Sequence, residues 1–259
     1  MSIFEPYNED LFFSTDCHYP KEYQWYLALG SILSAYNGDY VNDIKNNLHI
    51  DWIKQSLETM WGVTDNETFK DTANWLINEG HRTKYLPRLN LIKHYHLEIE
   101  HANNFFKSIY ETIPNIGIVY YQFKNKNILK QFMKDNDLKP AMLGKLLNIV
   151  SYCPELYKEH IADYMAVTNL WAWDAVRLVN LCRWSLNCGY INHDEFMHYV
   201  SQIKEPVQNA YDNWQDVAIA YAITAVIWSP SPGRAESFAV PVGKLLKDPH
   251  SLLNAVSFK

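Results

Sequence analysis

Apolar residues recur at intervals of three and four along most of this chain of 259 residues, the spacing of one face of an α-helix. The pattern predicts helices over 22–38, 49–62, 63–80, 88–112, 125–135, 139–151, 155–165, 168–188, 192–211 and 213–228, with a short helical tail after 229–234. The segment IGIVYYQF (116–123) is rich in β-forming residues but has no evident partner strand, so helix or loop is favoured there. We therefore expect an all-α protein, with a single compact multi-helix domain over 1–259.

Two of these segments are more apolar than a surface helix needs to be. Segment 213–228 carries no charge after Asp216 and has apolar residues on every side, which is typical of a helix in the middle of a fold. Segment 168–188 is nearly as apolar. We expect the two to be neighbours and to form a central buried helix pair.

Capping residues and a proline indicate several helix boundaries. Thr64 with Glu67, and Asn192 with Glu195, have the three-residue spacing of a capping box. Pro206 has no backbone N–H and should kink the helix that contains it.

The polar residues of segment 168–188 fall into two groups when they are projected at 100° per residue. The polar face contains Asn169, Asn180, Arg183 and Asn187. Asp174 and Arg177 project elsewhere, on the buried side, where an unpaired charge would cost several kcal/mol. Their spacing allows contact with each other. The pair is therefore either structural or part of a ligand-binding site.

The tripeptide GHR (80–82) follows the end of a predicted helix. Gly80 can supply the left-handed residue of the turn, after which His81 and Arg82 project. They provide either a cap for the helix dipole together with a surface arginine, or an anion site. Both interpretations are kept open.

Composition and charge exclude several classes of protein. The net charge of −6 does not suit a protein that binds nucleic-acid phosphates. The N-terminus lacks the pattern of a signal peptide, and no apolar run reaches membrane-spanning length. Cys17, Cys153, Cys182 and Cys188 form no CxxC pair and are expected to be reduced. These features predict a cytoplasmic protein with no nucleic-acid or membrane partner.

Two Glu-x-x-His pairs, Glu98 with His101 and Glu195 with His198, have the spacing used in di-iron helical bundles. Glu195 already has a capping role, and Glu98 and His101 fit a solvated helix face. No metal or cofactor is therefore expected. Because no nucleotide-binding or nucleophile motif is present in the sequence, no catalytic residue is assigned.

Five segments occur in a characteristic order: MWGV (60–63), WLINEGHR (75–82), AWDAVRLVNLCRW (172–184), CGYINHDE (188–195) and DNWQDVAIAYAITAVIW (212–228). They resemble a family of bacterial proteins, common in enterobacteria, that is grouped as a domain of unknown function. Its pattern is W-L-x-x-G-H-R, then A-W-D-x-x-R with R-W and G-Y-I, and the family-like region spans about 60–228. The resemblance implies an α-helical cytoplasmic protein. The chain departs from the family at Thr224 and Ala225, where a glycine–arginine pair is expected.

Two functional hypotheses follow. The leading one is a non-catalytic cytoplasmic binding protein, an immunity protein that neutralises a toxin or effector by direct protein–protein contact. Its support is the lack of a catalytic motif, the negative charge and an aromatic surplus suited to interface hot spots. The alternative is an enzyme or small-ligand binder whose polar pocket contains His81, Arg82, Asp174 and Arg177.

Overall fold

The computed structural model describes residues 10–102, 108, 114–149 and 164–259, and this part of the chain is helical, without strands. The helices are α1 (Gln24–Asn37), α2 (Ile50–Ser56), α3 (Asn66–Asn78), α4 (Arg82–Glu100), α5 (Pro114–Lys124), α6 (Lys126–Asp135), α7 (140–149), α8 (Trp171–Asn187), α9 (His193–Ser201), α10 (Lys204–Ala210), α11 (Trp214–Trp228), α12 (Pro232–Lys247) and α13 (Leu252–Ala255). Short 3-10 turns cover Lys21–Tyr23 and Tyr164–Ala166, and a π-helical turn, Leu57–Trp61, extends α2. The predicted all-α compact fold is confirmed, and the ambiguous segment 116–123 is helical.

Helix α8 lies at the centre of the molecule and contacts α1, α3, α9, α10 and α11. Helix α11 is buried along its whole apolar stretch, from Val217 to Ile227, and also contacts α4 and α12. The predicted central pair is therefore present. Such all-round burial explains why α11 lacks the polar outer stripe of a surface helix.

Helix α1 approaches α8 closely because Gly30 has no side chain. A Cβ atom at that position would lie 2.6 Å from Cγ1 of Val179, which is too short for any real contact. The gap left by Gly30 also lets its carbonyl accept a hydrogen bond of 2.8 Å from the Asn180 amide. An alanine at position 30 would force α1 and α8 apart.

The middle of the predicted polar face of α8 is buried, whereas Asn187 near its end is exposed, which partly corrects the sequence interpretation. Asn180 and Arg183 are 2% and 1% exposed. Arg183 donates to the carbonyls of Tyr40 and Lys45 at 3.1 and 3.0 Å, and its Nη2 lies 3.7 Å from Oδ2 of Asp39. These polar residues fasten the loop after α1 onto α8, and Arg183 is buried because that loop satisfies it.

The structure tests the two capping boxes that were predicted at helix starts. The cap of α3 is Asp65 with Thr68, one residue after the predicted Thr64 and Glu67, because the Asp65 carboxylate accepts the Thr68 backbone N–H at 2.9 Å. By contrast, the predicted box of Asn192 and Glu195 is confirmed at the start of α9.

The prediction for Pro206 and the predicted start of α4 were wrong. Pro206 does not kink one long helix over 192–211, because the chain breaks earlier into α9 and α10, and Pro206 then lies in the first turn of α10, where its missing N–H is harmless. Helix α4 begins at Arg82 rather than near Arg88, and it continues through Pro87.

Some predictions fall on other parts of the chain. Most of the predicted helix 155–165, the end of the predicted helix 88–112 and Cys153 lie outside the described residues. Cys17, Cys182 and Cys188 are free thiols. No described helix combines the length and the apolarity that crossing a bilayer requires.

We expect Arg183→Met to lower the free energy of unfolding by about 3–5 kcal/mol, because it strands the buried Asp39 carboxylate without its cation. Urea unfolding at neutral pH measures the loss. Combining Arg183→Met with Asp39→Asn should recover part of it, since no unpaired charge remains. A single variant within about 1 kcal/mol of the wild type would show that the loop does not depend on this residue.

Candidate functional site

The turn between α3 and α4 brings two peptide N–H groups to the side of α8. Gly80 adopts φ +61°, the left-handed conformation that glycine tolerates best, and its N–H bonds the Trp75 carbonyl at 2.8 Å. A Cβ atom on Gly80 would lie 2.1 Å from Oδ2 of Asp174. Glycine is therefore required here both for the turn and for the close approach of the carboxylate.

Asp174 of α8 is 1% exposed, and its carboxylate binds the backbone of this turn. Its Oδ1 accepts the backbone N–H of His81 at 2.9 Å, and its Oδ2 accepts the backbone N–H of Arg82 at 3.0 Å. The Arg82 guanidinium adds a third bond of 3.1 Å. Burial raises the pKa of the Asp174 carboxyl, but these donors oppose that effect. With this many donors we take the carboxyl to be ionised at neutral pH.

Arg82 joins the end of α3 to α8. It donates to the carbonyls of Leu76 and Ile77 at 2.8 and 2.7 Å, and its guanidinium carbon lies 3.6 Å from the centre of the Trp171 ring. It therefore caps the C-terminus of α3, but it is not the surface arginine that this interpretation expected, because its side chain is 13% exposed. The GHR turn also binds an anion, but that anion is the protein's own Asp174.

Arg177 and His81 form the part of the cluster that faces a cavity. Nη1 of Arg177 donates to Nδ1 of His81 at 2.9 Å and lies 3.6 Å from Oδ1 of Asp174. Because an arginine can only donate, Nδ1 must be the acceptor, so neutral His81 carries its proton on Nε2. Burial, and then the neighbouring Arg177 cation, lower the pKa of His81 to about 4. The imidazole is therefore uncharged at neutral pH.

The guanidinium of Arg177 lies between two indole rings. Its central carbon is 4.5 Å from the ring centre of Trp61 and 4.9 Å from that of Trp173. Trp61 is the last residue of the π-helical turn, and Gly62 follows it with φ +66°. These contacts favour the cation and fix its plane. Among the described residues, Nη2 and Nε of Arg177 make no hydrogen bond.

A cavity of about 340 Å³ opens beside these groups. Aromatic rings from five parts of the chain make up most of its wall, and Met60 and Trp228 are its most exposed residues. The lining residues are Leu33, Tyr36, Asn37, Met60, Trp61, His81, Trp173, Arg177, Asn180, Leu181, Trp184, Tyr221, Trp228 and Phe238.

The charge around the cavity does not balance. Asp174 offsets one of the two arginines, His81 is neutral, and no aspartate or glutamate is among the described residues that line the cavity. One positive charge is therefore left over. The indole N–H groups of Trp173 and Trp184 also find no acceptor within the described structure, but both nitrogens are buried rather than open to the cavity. The excess at the cavity wall is therefore the positive charge of Arg177, which suits an anion.

The four residues predicted for a polar pocket thus come together, but they divide by role. His81 and Arg177 line the cavity, whereas Arg82 and Asp174 lie behind them and hold the turn. The sequence interpretation missed the aromatic wall. Tryptophans at helical spacing are usually core residues, so no local signal distinguished Trp61, Trp173 and Trp184 from the others.

The two Glu-x-x-His pairs do not meet. Glu98 lies 3.3 Å from Nζ of Lys124, and Glu195 caps α9. Across the ranges that the structure describes, no three His, Cys, Asp or Glu side chains gather in a way that could hold a metal ion.

Residues 56–258 match the model of a family described as proteins of unknown function (DUF1266). The chain belongs to the DUF1266 family. No curated protein and no solved structure matches it.

The DUF1266 match covers most of the site but not all of it. The GHR turn, the π-helical turn and helices α8 and α11 lie inside the matched range. Helix α1 lies outside it, although Leu33, Tyr36 and Asn37 of α1 close one side of the cavity. The cavity of this DUF1266 member is therefore completed by a segment beyond the region that the family model matches.

Replacing Asp174 by alanine should lower the free energy of unfolding by about 3–5 kcal/mol. The change leaves two arginines without their carboxylate and two peptide N–H groups without an acceptor. Asp174→Asn is the control, because it keeps the shape and one acceptor and should lose less. Melting and urea curves of both variants test this, and an alanine variant within about 1 kcal/mol of the wild type would contradict it.

His81 should make stability depend on pH in a definite direction. Folding buries His81 and lowers the pKa of its imidazole from the ordinary value of 6.5 to about 4. Between these values the unfolded chain binds more protons, so stability is fully present above pH 6.5 and falls as the pH drops towards 4. Urea unfolding across this range, compared with His81→Gln, measures the effect. If the free energy of unfolding depended on pH in the same way in the wild type and in His81→Gln, His81 would not be buried as a neutral group.

Proposed function

We propose that this protein binds a small molecule that carries one anionic group on an apolar, aromatic body. The observation that carries the proposal is the Arg177 guanidinium, held between two indole rings at the wall of the cavity, with Nη2 and Nε making no hydrogen bond to described residues. A carboxylate or phosphate matches this fork of donors.

The residues behind Arg177 orient it for such a ligand. Nη1 is held by His81 Nδ1, and Asp174 lies 3.6 Å away, so the remaining face of the guanidinium is preorganised. The neutral His81 contributes no repulsion and keeps an Nε2 proton that can be donated. Little side-chain entropy is then lost on binding, because the donors are already in place.

The rest of the cavity suits an apolar body. Tyr36 stacks on Phe238 with ring centres 3.9 Å apart, and Trp173 lies 5.0 Å from Tyr221. A volume of about 340 Å³ falls at the small end of ligand pockets. Flat rings can pack against these walls, where each aromatic contact adds about 0.5–1.5 kcal/mol.

Binding without catalysis is proposed because the groups that could transfer a proton are already engaged. Asp174 is held by peptide and guanidinium donors, and Nδ1 of His81 accepts from Arg177. Neutralisation of a toxin by protein contact stays a prediction from the sequence, as do the bacterial origin and the cytoplasmic location. Its aromatic argument is weaker now, because Trp25, Trp173, Trp184 and Trp214 are buried.

Naphthoate and naphthamide form a matched pair of probes, since they share a ring system and differ in the anionic group. We expect naphthoate to bind the purified protein saturably and at least about tenfold more tightly than naphthamide. This ratio of affinities corresponds to about one charge-assisted hydrogen bond. Isothermal titration calorimetry measures both affinities.

Arg177→Met should abolish the preference for naphthoate while leaving naphthamide binding nearly unchanged. Arg88→Met is the control, because Arg88 also lies over an aromatic ring, 5.3 Å from the centre of Tyr85, but does not line the cavity. Equal affinities for the two probes in the wild type would refute selection for an anion. No saturable binding of either probe would refute the ligand-binding function and leave the protein-neutralising hypothesis first.

A further inference from the structure

Helix α5 has apolar residues on the side that faces away from the molecule. Ile116, Val119, Tyr120 and Phe123 recur at helical spacing, and they are 45%, 64%, 47% and 81% exposed. The opposite side of the same helix, with Ile118 and Tyr121, is buried. A helix that packs one side on a core normally has a polar outer side, so this outer apolar face needs an explanation.

The same region is strongly basic, in contrast to the rest of the chain. Residues 114–149 contain six lysines and two aspartates, a local net charge of +4, although the whole chain carries −6. Lys126 and Lys130 are exposed and lie one turn apart on α6, which follows α5 after a single residue. Ile128 of the same helix is 69% exposed. Exposed lysines thus occur in the same pair of helices as exposed aliphatic and aromatic side chains.

We propose that α5 and α6 form a docking surface for an anionic lipid bilayer. Apolar side chains flanked by lysines are the composition of helices that lie in the bilayer interface. The charge favours an acidic surface over a second copy of this chain, because two copies of this face would bring equal positive charges together. With 11 and 10 residues, the helices are too short to cross a membrane.

The proposal differs from the expectation of no membrane partner, which rested on the lack of a spanning segment. In this arrangement Phe123 and Val119 enter the boundary between headgroups and acyl chains, and the lysines lie among the lipid phosphates. Screening limits the repulsion from the acidic remainder of the protein to about 8–10 Å at physiological salt. The local charge therefore decides the interaction.

Flotation of the full chain with lipid vesicles tests this surface. Vesicles of phosphatidylcholine mixed with phosphatidylserine should bind the protein, and vesicles of phosphatidylcholine alone should bind it at least about tenfold more weakly. Added salt should release the protein. No binding to the mixed vesicles, or binding that salt leaves unchanged, would overturn the proposal.

Variants separate the two components of the surface. Phe123→Ser should weaken binding to the mixed vesicles about tenfold, and Lys126→Gln with Lys130→Gln should weaken it about fivefold for each lysine. The matched controls are Ile50→Ser and Lys54→Gln on α2, which change an exposed isoleucine and an exposed lysine elsewhere and should bind as the wild type does.

Two further results would refute the bilayer as the occupant. One is an equal loss of binding in the α2 controls. The other is a concentration-dependent dimer, seen by analytical ultracentrifugation, that Phe123→Ser abolishes, since the face would then be an interface between copies of this chain. The ligand-binding cavity does not enter this test, so the two proposals can fail separately.

Discussion

The Asp174 carboxylate joins the helices that build the site, and the cavity depends on it. It accepts the two peptide N–H groups of the turn between α3 and α4, and it offsets the charge of Arg82. Without it, the two peptide N–H groups of the turn would have no acceptor on α8, and both arginines would lack a nearby acid. The carboxylate is tolerated at 1% exposure because nearly all of its hydrogen-bonding capacity is used.

Within one small cluster, the groups that hold the turn are separate from the group that faces the cavity. Asp174 and Arg82 bind each other and the ends of α3 and α4. Arg177 is held by weaker contacts, a neutral imidazole and two indole rings, so its charge is positioned but not fully offset. A charge that is held in place but not neutralised is suited to binding an anion, since little reorganisation accompanies ligand entry.

Charge and exposed apolar surface are also distributed unevenly over the whole molecule. The core contains four of the nine tryptophans, while exposed apolar side chains are concentrated on α5 and α6, where lysines outnumber acids. The net negative charge of the whole chain conceals this basic region. An average over 259 residues therefore says little about which partner a particular face prefers.

Helical periodicity, glycine stops and the apolar stretch of α11 are local signals, so the helices and the central pair could be predicted from the sequence. His81, Arg82, Asp174 and Arg177 could also be singled out, since charges in apolar segments and a GHR turn are visible in the primary structure. The role of each residue depends on contacts between distant parts of the chain. His81 and Asp174, which form the contact between the turn and α8, are 93 positions apart in the sequence. The same packing of the turn against α8 places Arg177 at the cavity. Long-range packing determines which tryptophans line the cavity and which fill the core. It also determines that a loop covers Arg183. No local sequence pattern encodes either result.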